Sequence, residues 1–380
     1  MTEKRIALAI EISKPFRHHL TTISGIQRYV RENPGWSCVV DPYVNLDESS
    51  YDGIIARAES ELIDQANARN TPLINVWSHN AALDVASVLP DYEEMGREAA
   101  KYLLQRGYLH FGYHGHLDHP GTQSAIKGFG DVLKAAGKTF AILNAGSDCD
   151  ESSDKWSVYK ALLEEWVTGK PSPMAVFCSH DTLSRYLAQA CTNVGLRVPE
   201  DVAILGIGNE PLLCSDPEPS LSSIELCYEE IGYAAAQNLA RIMSGEPVPR
   251  TSVYVNKTQI ISRASTNYYI AQDPLVQNAI TFIVENLHRQ IRVRDVADHV
   301  NSTVRSLERH FGKELKRTMS QEIARLRLER ASQLLLQSDD PIKQIAYDCG
   351  YSSRSYFHQA FVKSHGISPL EFRKQHALTS

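Results

Sequence analysis

The chain has 380 residues, with 39 Lys+Arg against 45 Asp+Glu for a net charge of −6, a length that predicts two or three domains each burying its own core. No apolar run is long enough to cross a bilayer, and the run at 6–10 is too short for a signal peptide. Seven scattered cysteines without a Cys-x-x-Cys pair indicate neither a disulfide framework nor a zinc site, so a reducing compartment, the cytoplasm, is expected.

Residues 1–265 alternate short apolar strands with helices. Strands are expected at 6–10, 53–55, 73–76, 111–113, 175–178, 202–207 and 253–263, and helices at 20–31, 93–106, 123–136, 156–167 and 183–194. Such alternation implies α/β architecture, with parallel sheets covered on both faces and ligands bound beyond the carboxyl ends of the strands. Catalytic signatures are missing. The turn EISKPFRHH (11–19) has no glycine fingerprint for a dinucleotide, Gly206-Ile207-Gly208 lacks a third glycine, and neither G-x-S-x-G nor H-E-x-x-H occurs. HGHLDH (114–119) is metal-like in composition, but it lies on a strand-end loop rather than a helix face and reads as a hinge or ligand loop. Neither an enzyme nor a cofactor is expected.

Polar residues and Pro274 break the pattern after residue 263. A first domain of 1–268, a linker of 269–278 and a second domain of 279–376 are therefore expected, with a linker short enough to couple the domains mechanically.

The second domain carries one pattern twice, DVADHVNSTVRSLERHF (295–311) and QIAYDCGYSSRSYFHQAF (344–361). Each unit is a short apolar helix, a turn, and a second helix with apolar residues at helical spacing. In the first, Ala297 and Val300 face inward, Asn301-Ser302 breaks the helix, Thr303 caps the next, and Val304, Leu307 and Phe311 form its buried face. In the second, Gly350 suits the turn, Ser353 begins the helix, and Phe357 and Phe361 are buried. This is helix-turn-helix grammar, in which the second helix enters the major groove. Arg305, Glu308 and Arg309 remain off the core face of the first reading helix; Arg354, Ser355, Tyr356, His358 and Gln359 do so on the second, with Lys363 placed for phosphate. One such unit is easily an ordinary helical hairpin, but two with matched turns are not. Charge agrees: residues 275–380 hold 16 Lys+Arg against 11 Asp+Glu, a net of +5, leaving −11 on residues 1–274.

These motifs resemble an AraC-type DNA-binding domain. The first half carries Thr303, Arg305, Leu307, Arg309 and Phe311; the second carries Ile345-Ala346, Gly350-Tyr351, Tyr356-Phe357, Phe361, Lys363, Gly366, Ser368-Pro369 and Phe372-Arg373. RLRLERASQLLL (325–336) resembles the helix that spaces the two readers. The N-terminal part resembles the effector domain of the lac and purine repressors, related to periplasmic sugar-binding proteins, through YDGIIAR (51–57), DYEEMGREAAKYLLQRGYLHFGYHG (91–115), PMAVFCSHD (173–181) and NVGLRVPEDVAILGIGNE (193–210). A sensor followed by a C-terminal reader is similar to the order in xylose-operon regulators. The resemblance implies a two-lobed sensor and then an all-α domain of two helix-turn-helix units.

For the effector pocket the resemblance points to Asp91, Trp156 and Asp181, with His180 beside the last. Asn209, Glu210 and Arg17 are candidates to replace lost contacts, because Ala125, Gly208 and Leu226 stand where relatives have polar residues. Trp156 reads equally well as a packing residue, and Asp181 as the cap of the following helix. The resemblance implies a homodimer on double-stranded operator DNA, a sugar-like small-molecule effector, and activation through RNA polymerase. The alternative is a DNA-binding regulator whose degenerate sensor serves only for dimerisation.

Overall fold

The computed structural model describes residues 3–11, 17–78, 84–146, 153–246, 248, 250–256 and 258–376. Its strands are β1 Lys4–Ala9, β2 Trp36–Val40, β3 Gly53–Ala56, β4 Leu73–Asn75, β5 Ser87–Pro90, β6 His110–Gly115, β7 Phe140–Asn144, β8 Met174–Cys178, β9 Val202–Ile207, β10 Ser222–Glu225, β11 Ser252–Val255 and β12 Gln259–Ile261. Two six-stranded sheets result, ordered β11-β5-β4-β3-β1-β2 and β12-β10-β9-β8-β6-β7. Neighbouring strands are parallel except β10 and β12, which are antiparallel. The central strands β3, β8 and β9 are buried throughout, as unbroken apolar runs require when helices cover both faces.

The chain passes between the sheets three times: after β5, after β10, and between β11 and β12. The single strand expected at 253–263 is therefore two, one in each sheet. The strands β2, β5, β7 and β10 were not expected from the sequence; β2 and β7 are sheet edges and only partly buried, so they lack the unbroken apolar run of the central strands. Crossing lets the helix after β5, Tyr92–Leu104, join the second lobe, where it packs on Pro120–Ala135. A Cβ on Gly96 would lie 2.0 Å from the Ala125 carbonyl oxygen, and one on Gly128 would lie 1.9 Å from that of Glu93. The helix after β10, Tyr228–Met243, returns to the first lobe and meets Arg17–Glu32 just as closely. Each lobe thus rests on a helix pair in backbone contact, which only residues without a side chain permit.

The reader follows as helices Pro274–Glu285, Val293–His299, Val304–Leu315, Met319–Gln337, Ile342–Asp348, Arg354–His365 and Pro369–His376. Residues 274–278 of the segment expected as a linker are the first turns of a helix capped by Asp273, whose carboxylate accepts the Leu275 N–H at 2.9 Å. The preceding residues are docked. Ile270 donates its N–H to the Arg106 carbonyl at 2.8 Å, and Tyr269 joins the first reader core with Ile280, Leu307 and Phe311. Ile261 of β12 enters the second core with Leu335, Phe357, Phe361 and Phe372.

Sensor and reader share a polar node. Glu329, on the helix Met319–Gln337, accepts from Arg106, Ser262 and Tyr269 on one side and from Arg325 at 2.9 Å on the other. Arg106 is 2% exposed; its Nε donates to the Thr266 carbonyl at 2.8 Å, and its guanidinium lies over the Tyr102 ring.

Candidate functional site

Two sites emerge, a helical face on the reader and a cleft on the sensor. On the reader, Thr303 caps Val304–Leu315 by accepting the Ser306 N–H, and Ser353 caps Arg354–His365 by accepting the Tyr356 N–H, both at 3.2 Å. Asn301 and Gly350 take positive φ in the two turns (52° and 71°). Leu307, Phe311, Phe357 and Phe361 are fully buried. Val304, expected to face inward, is 39% exposed because it occupies the first helical position, before the buried face begins.

Arg305, Arg309, Arg354, Ser355, Tyr356, His358, Gln359 and Lys363 are exposed, as groove-reading and phosphate-binding residues must be. Glu308 is half-buried and accepts the Met319 N–H at 3.3 Å, tying the first reading helix to the next one.

On the sensor, Arg17 follows β1 of one sheet, while His180 and Asp181 follow β8 and Asn209 and Glu210 follow β9 of the other, so most of the expected ligand residues lie beyond the carboxyl ends of strands. Arg17 spans the gap: it pairs with Glu225 at 3.0 Å and donates to the Asn209 carbonyl at 2.9 Å. Asn209 itself points inward. It is 2% exposed, its N–H bonds the Ser223 hydroxyl at 2.9 Å, and its Oδ1 accepts from Arg263 at 2.7 Å. Asp181 is also buried. It accepts the Ser223 hydroxyl at 2.6 Å and the Glu210 N–H at 2.8 Å, while His180 takes the cap position expected of Asp181. Burial pushes the Asp181 carboxyl up to about 6 against the pull of those hydrogen bonds.

His180 stacks on His116, with ring centroids 5.3 Å apart, and burial together with the neighbouring histidines lowers it to about 4. His114 is enclosed, with its Nε2 2.7 Å from the Tyr159 hydroxyl. Among the described residues no group of three or more His, Cys, Asp or Glu is arranged to hold a metal. Asp91 caps Tyr92–Leu104 by accepting the Glu94 N–H at 2.9 Å. Trp156 is half-buried and packs edge-on against Tyr186, 4.6 Å between centroids. Glu210 is half-buried, with its carboxyl raised by burial and countered by Arg17.

The three substituted positions now have physical explanations. Ala125 and Leu226 lie in the apolar core of the second lobe. Gly208 has φ +118° and a Cβ there would sit 3.3 Å from an Asp181 carboxylate oxygen, so an aspartate at 208 would be strained.

The first-lobe wall holds groups that the sequence did not single out. Arg57 follows β3, and its guanidinium carbon lies 4.3 Å from the centroid of the Trp77 ring. One of its nitrogens meets His19 Nε2 at 2.9 Å, and His19 Nδ1 meets the Glu11 carbonyl at 2.5 Å. His18 lies beside Tyr228, 5.2 Å between centroids. Burial, His19 and Arg57 lower His18 to about 3, and burial and Arg57 lower His19. The sequence signal was available: an arginine closing an apolar strand, YDGIIAR, at the edge where ligands bind.

Comparison with known proteins finds relatives for both regions. Residues 100–266 match the periplasmic binding protein-like domain family, and residues 296–375 match a helix-turn-helix domain family. The xylose operon regulatory protein of Haemophilus influenzae is 28% identical, over 98% of this chain and 99% of its own length. That of Escherichia coli K12 is also 28% identical, over 97% and 96% respectively. The solved structure of the xylose-binding transcription activator XylR aligns with a TM-score of 0.63 and 23% identity over 99% of both chains, a likeness of fold.

Proposed function

We propose, from the premise that this chain is an AraC-type transcriptional regulator with a periplasmic-binding-protein-like sensor, that it activates a sugar-utilisation operon in response to a sugar-like effector. It acts as a cytoplasmic homodimer, presenting four reading helices to operator DNA and recruiting RNA polymerase. Arg305, Arg309, Arg354, Ser355, Tyr356, His358 and Gln359 read or position DNA, and Lys363 meets phosphate. Asp91, Trp156, His180 and Glu210 face the effector, and Arg17 senses lobe closure through Glu225.

The observation that carries the reading is the conjunction of two capped, exposed reading helices with a two-lobed cleft whose opposing walls already meet at Arg17 and Glu225. Relatives of similar length and domain order are named for the xylose operon, which supports a sugar as the effector class. No observation favours a sensor kept only for dimerisation.

The test uses the full-length protein and the promoter beside its own gene. Gel shift and in vitro transcription, with and without a panel of sugars, should show specific binding and sugar-dependent transcription. Binding no tighter than to random duplex at physiological salt would remove the regulator reading. Specific binding that no sugar alters, without any sugar-dependent melting shift, would remove the effector reading alone.

A further inference from the structure

We propose that the effector is an acidic sugar, a uronate or aldonate, whose carboxylate is received by Arg57; the inference rests on the cleft being a sugar site and deepens that reading. Arg57 stands at the carboxyl end of β3, where ligands of parallel sheets bind. It is half-buried, one face is covered by Trp77, and its Nε is enclosed without a hydrogen-bond partner. Its one side-chain hydrogen bond among the described residues is to His19.

That bond gives no charge compensation. His19 faces a backbone carbonyl with Nδ1, so Nδ1 carries the proton and Nε2 accepts from Arg57, which is the neutral tautomer. Glu11, Tyr228 and Glu59 favour the arginine's charge from a distance, but burial works against it more strongly. No carboxylate among the described residues makes an ion pair with Arg57. A guanidinium withdrawn from water needs an anion or several fixed acceptors, and two other arginines of the chain receive them. Arg185 has three carbonyls and Arg325 has two carboxylates.

The chemistry missing at Arg57 is one planar anion with two acceptor oxygens, which a carboxylate matches in a bidentate pair. A sugar phosphate carries nearly two charges at neutral pH and would exceed the single charge of this guanidinium. Trp77 stacked on the guanidinium offers an apolar flank to a sugar ring, and Glu210 on the opposite lobe can accept its hydroxyls.

The experiment is calorimetry and thermal melting of the full-length protein with D-glucuronate, D-galacturonate and D-gluconate, against D-glucose, D-galactose, D-xylose and D-glucose 6-phosphate. At least one acid is expected to bind about tenfold or more tighter than its neutral parent. Arg57→Gln should erase that preference, about 10- to 100-fold, and Arg57→Lys should keep part of it. If Arg57→Gln does not fold, the acid-to-neutral ratio of Arg57→Lys decides. A neutral sugar binding as tightly as its acid, or a preference untouched by Arg57→Gln, overturns the proposal and leaves the sugar-sensor reading standing. Binding of the 6-phosphate in preference to every acid overturns the carboxylate assignment. No response to any of these sugars overturns the proposal together with the sugar reading of the cleft.

Discussion

Arg106 at the sensor–reader junction and Arg57 in the cleft are both drawn out of water, and the fold completes the surroundings of one but not of the other. Arg106 has a carboxylate, a carbonyl, a hydroxyl and an aromatic face. Arg57 has a neutral imidazole, an aromatic face and an orphaned Nε. Polar groups saturated from within hold parts of a molecule in fixed relation, and polar groups left short are capacity kept for something that arrives. By that criterion the junction behaves as a fixed joint, and the surroundings of Arg57 fit the effector site proposed above.

The largest expected effect comes from breaking the joint. Glu329→Ala leaves Arg106 buried without a carboxylate, takes one of two carboxylates from the half-buried Arg325, and should cost about 3–5 kcal/mol in urea denaturation. A loss below about 1 kcal/mol would mean that the junction is wet and weak, and the contrast with Arg57 would collapse. Next in size is a pH effect. Burial pushes the Glu329 carboxyl up, but Arg106 and Arg325 outweigh it and hold it at about 2, against an ordinary 4.5. A depressed carboxyl contributes stability that is complete above its unfolded value and is lost as pH falls through the folded one. The native protein should therefore lose about 3 kcal/mol between roughly pH 5 and pH 2 through this group, and Glu329→Gln should lack that component. Parallel urea titrations at stepped pH measure the difference.

Neither arginine's role was legible in the sequence, and the reasons differ. Arg106 and Glu329 are 223 residues apart, and RLRLERASQLLL reads as an ordinary amphipathic spacer, so nothing local announces the pairing. Arg57 was visible at the end of an apolar strand, but its significance lies in the burial and lack of a counter-ion that only tertiary structure produces. The reader was far more legible because its signals are local: caps at Thr303 and Ser353, a positive φ at Gly350, and phenylalanines at helical spacing. The alternating lobes were legible for the same reason. Asp181 and Asn209 were found as strand-end residues, while their inward bonding to Ser223 and Arg263 depends on partners 42 and 54 positions away.

The reading-helix arginines form a third category, exposed rather than buried, and they sharpen the comparison. Arg305→Ala and Arg354→Ala should each cost about 1–3 kcal/mol on the specific operator and much less on random duplex. Folding stability should stay within about 0.5 kcal/mol, because a solvated guanidinium leaves nothing stranded when removed. Fluorescence anisotropy on both duplexes, beside thermal melts, checks both statements. Equal losses on specific and random DNA would mean that these helices position without reading. Lys363→Ala should weaken both duplexes alike and reduce the salt slope by roughly one.

The smallest expected change is the most discriminating. In the unliganded protein Arg57→Met keeps an unbranched side chain against Trp77 and removes a half-buried charge that has no counter-ion. Replacing an uncompensated charge by an apolar group of similar length is neutral or stabilising, so unliganded Arg57→Met should melt at or above the native temperature, a gain of at most about 1 kcal/mol. The lost terms are the hydrogen bond to His19 and the cation–π contact, each worth about 0.5–1.5 kcal/mol, and they oppose the relief of desolvation. That near-cancellation is the signature of an incomplete environment. A loss approaching that of Glu329→Ala would show that Arg57 is already satisfied by the fold, through Glu11 or its neighbours, and that the cleft holds no cation in reserve.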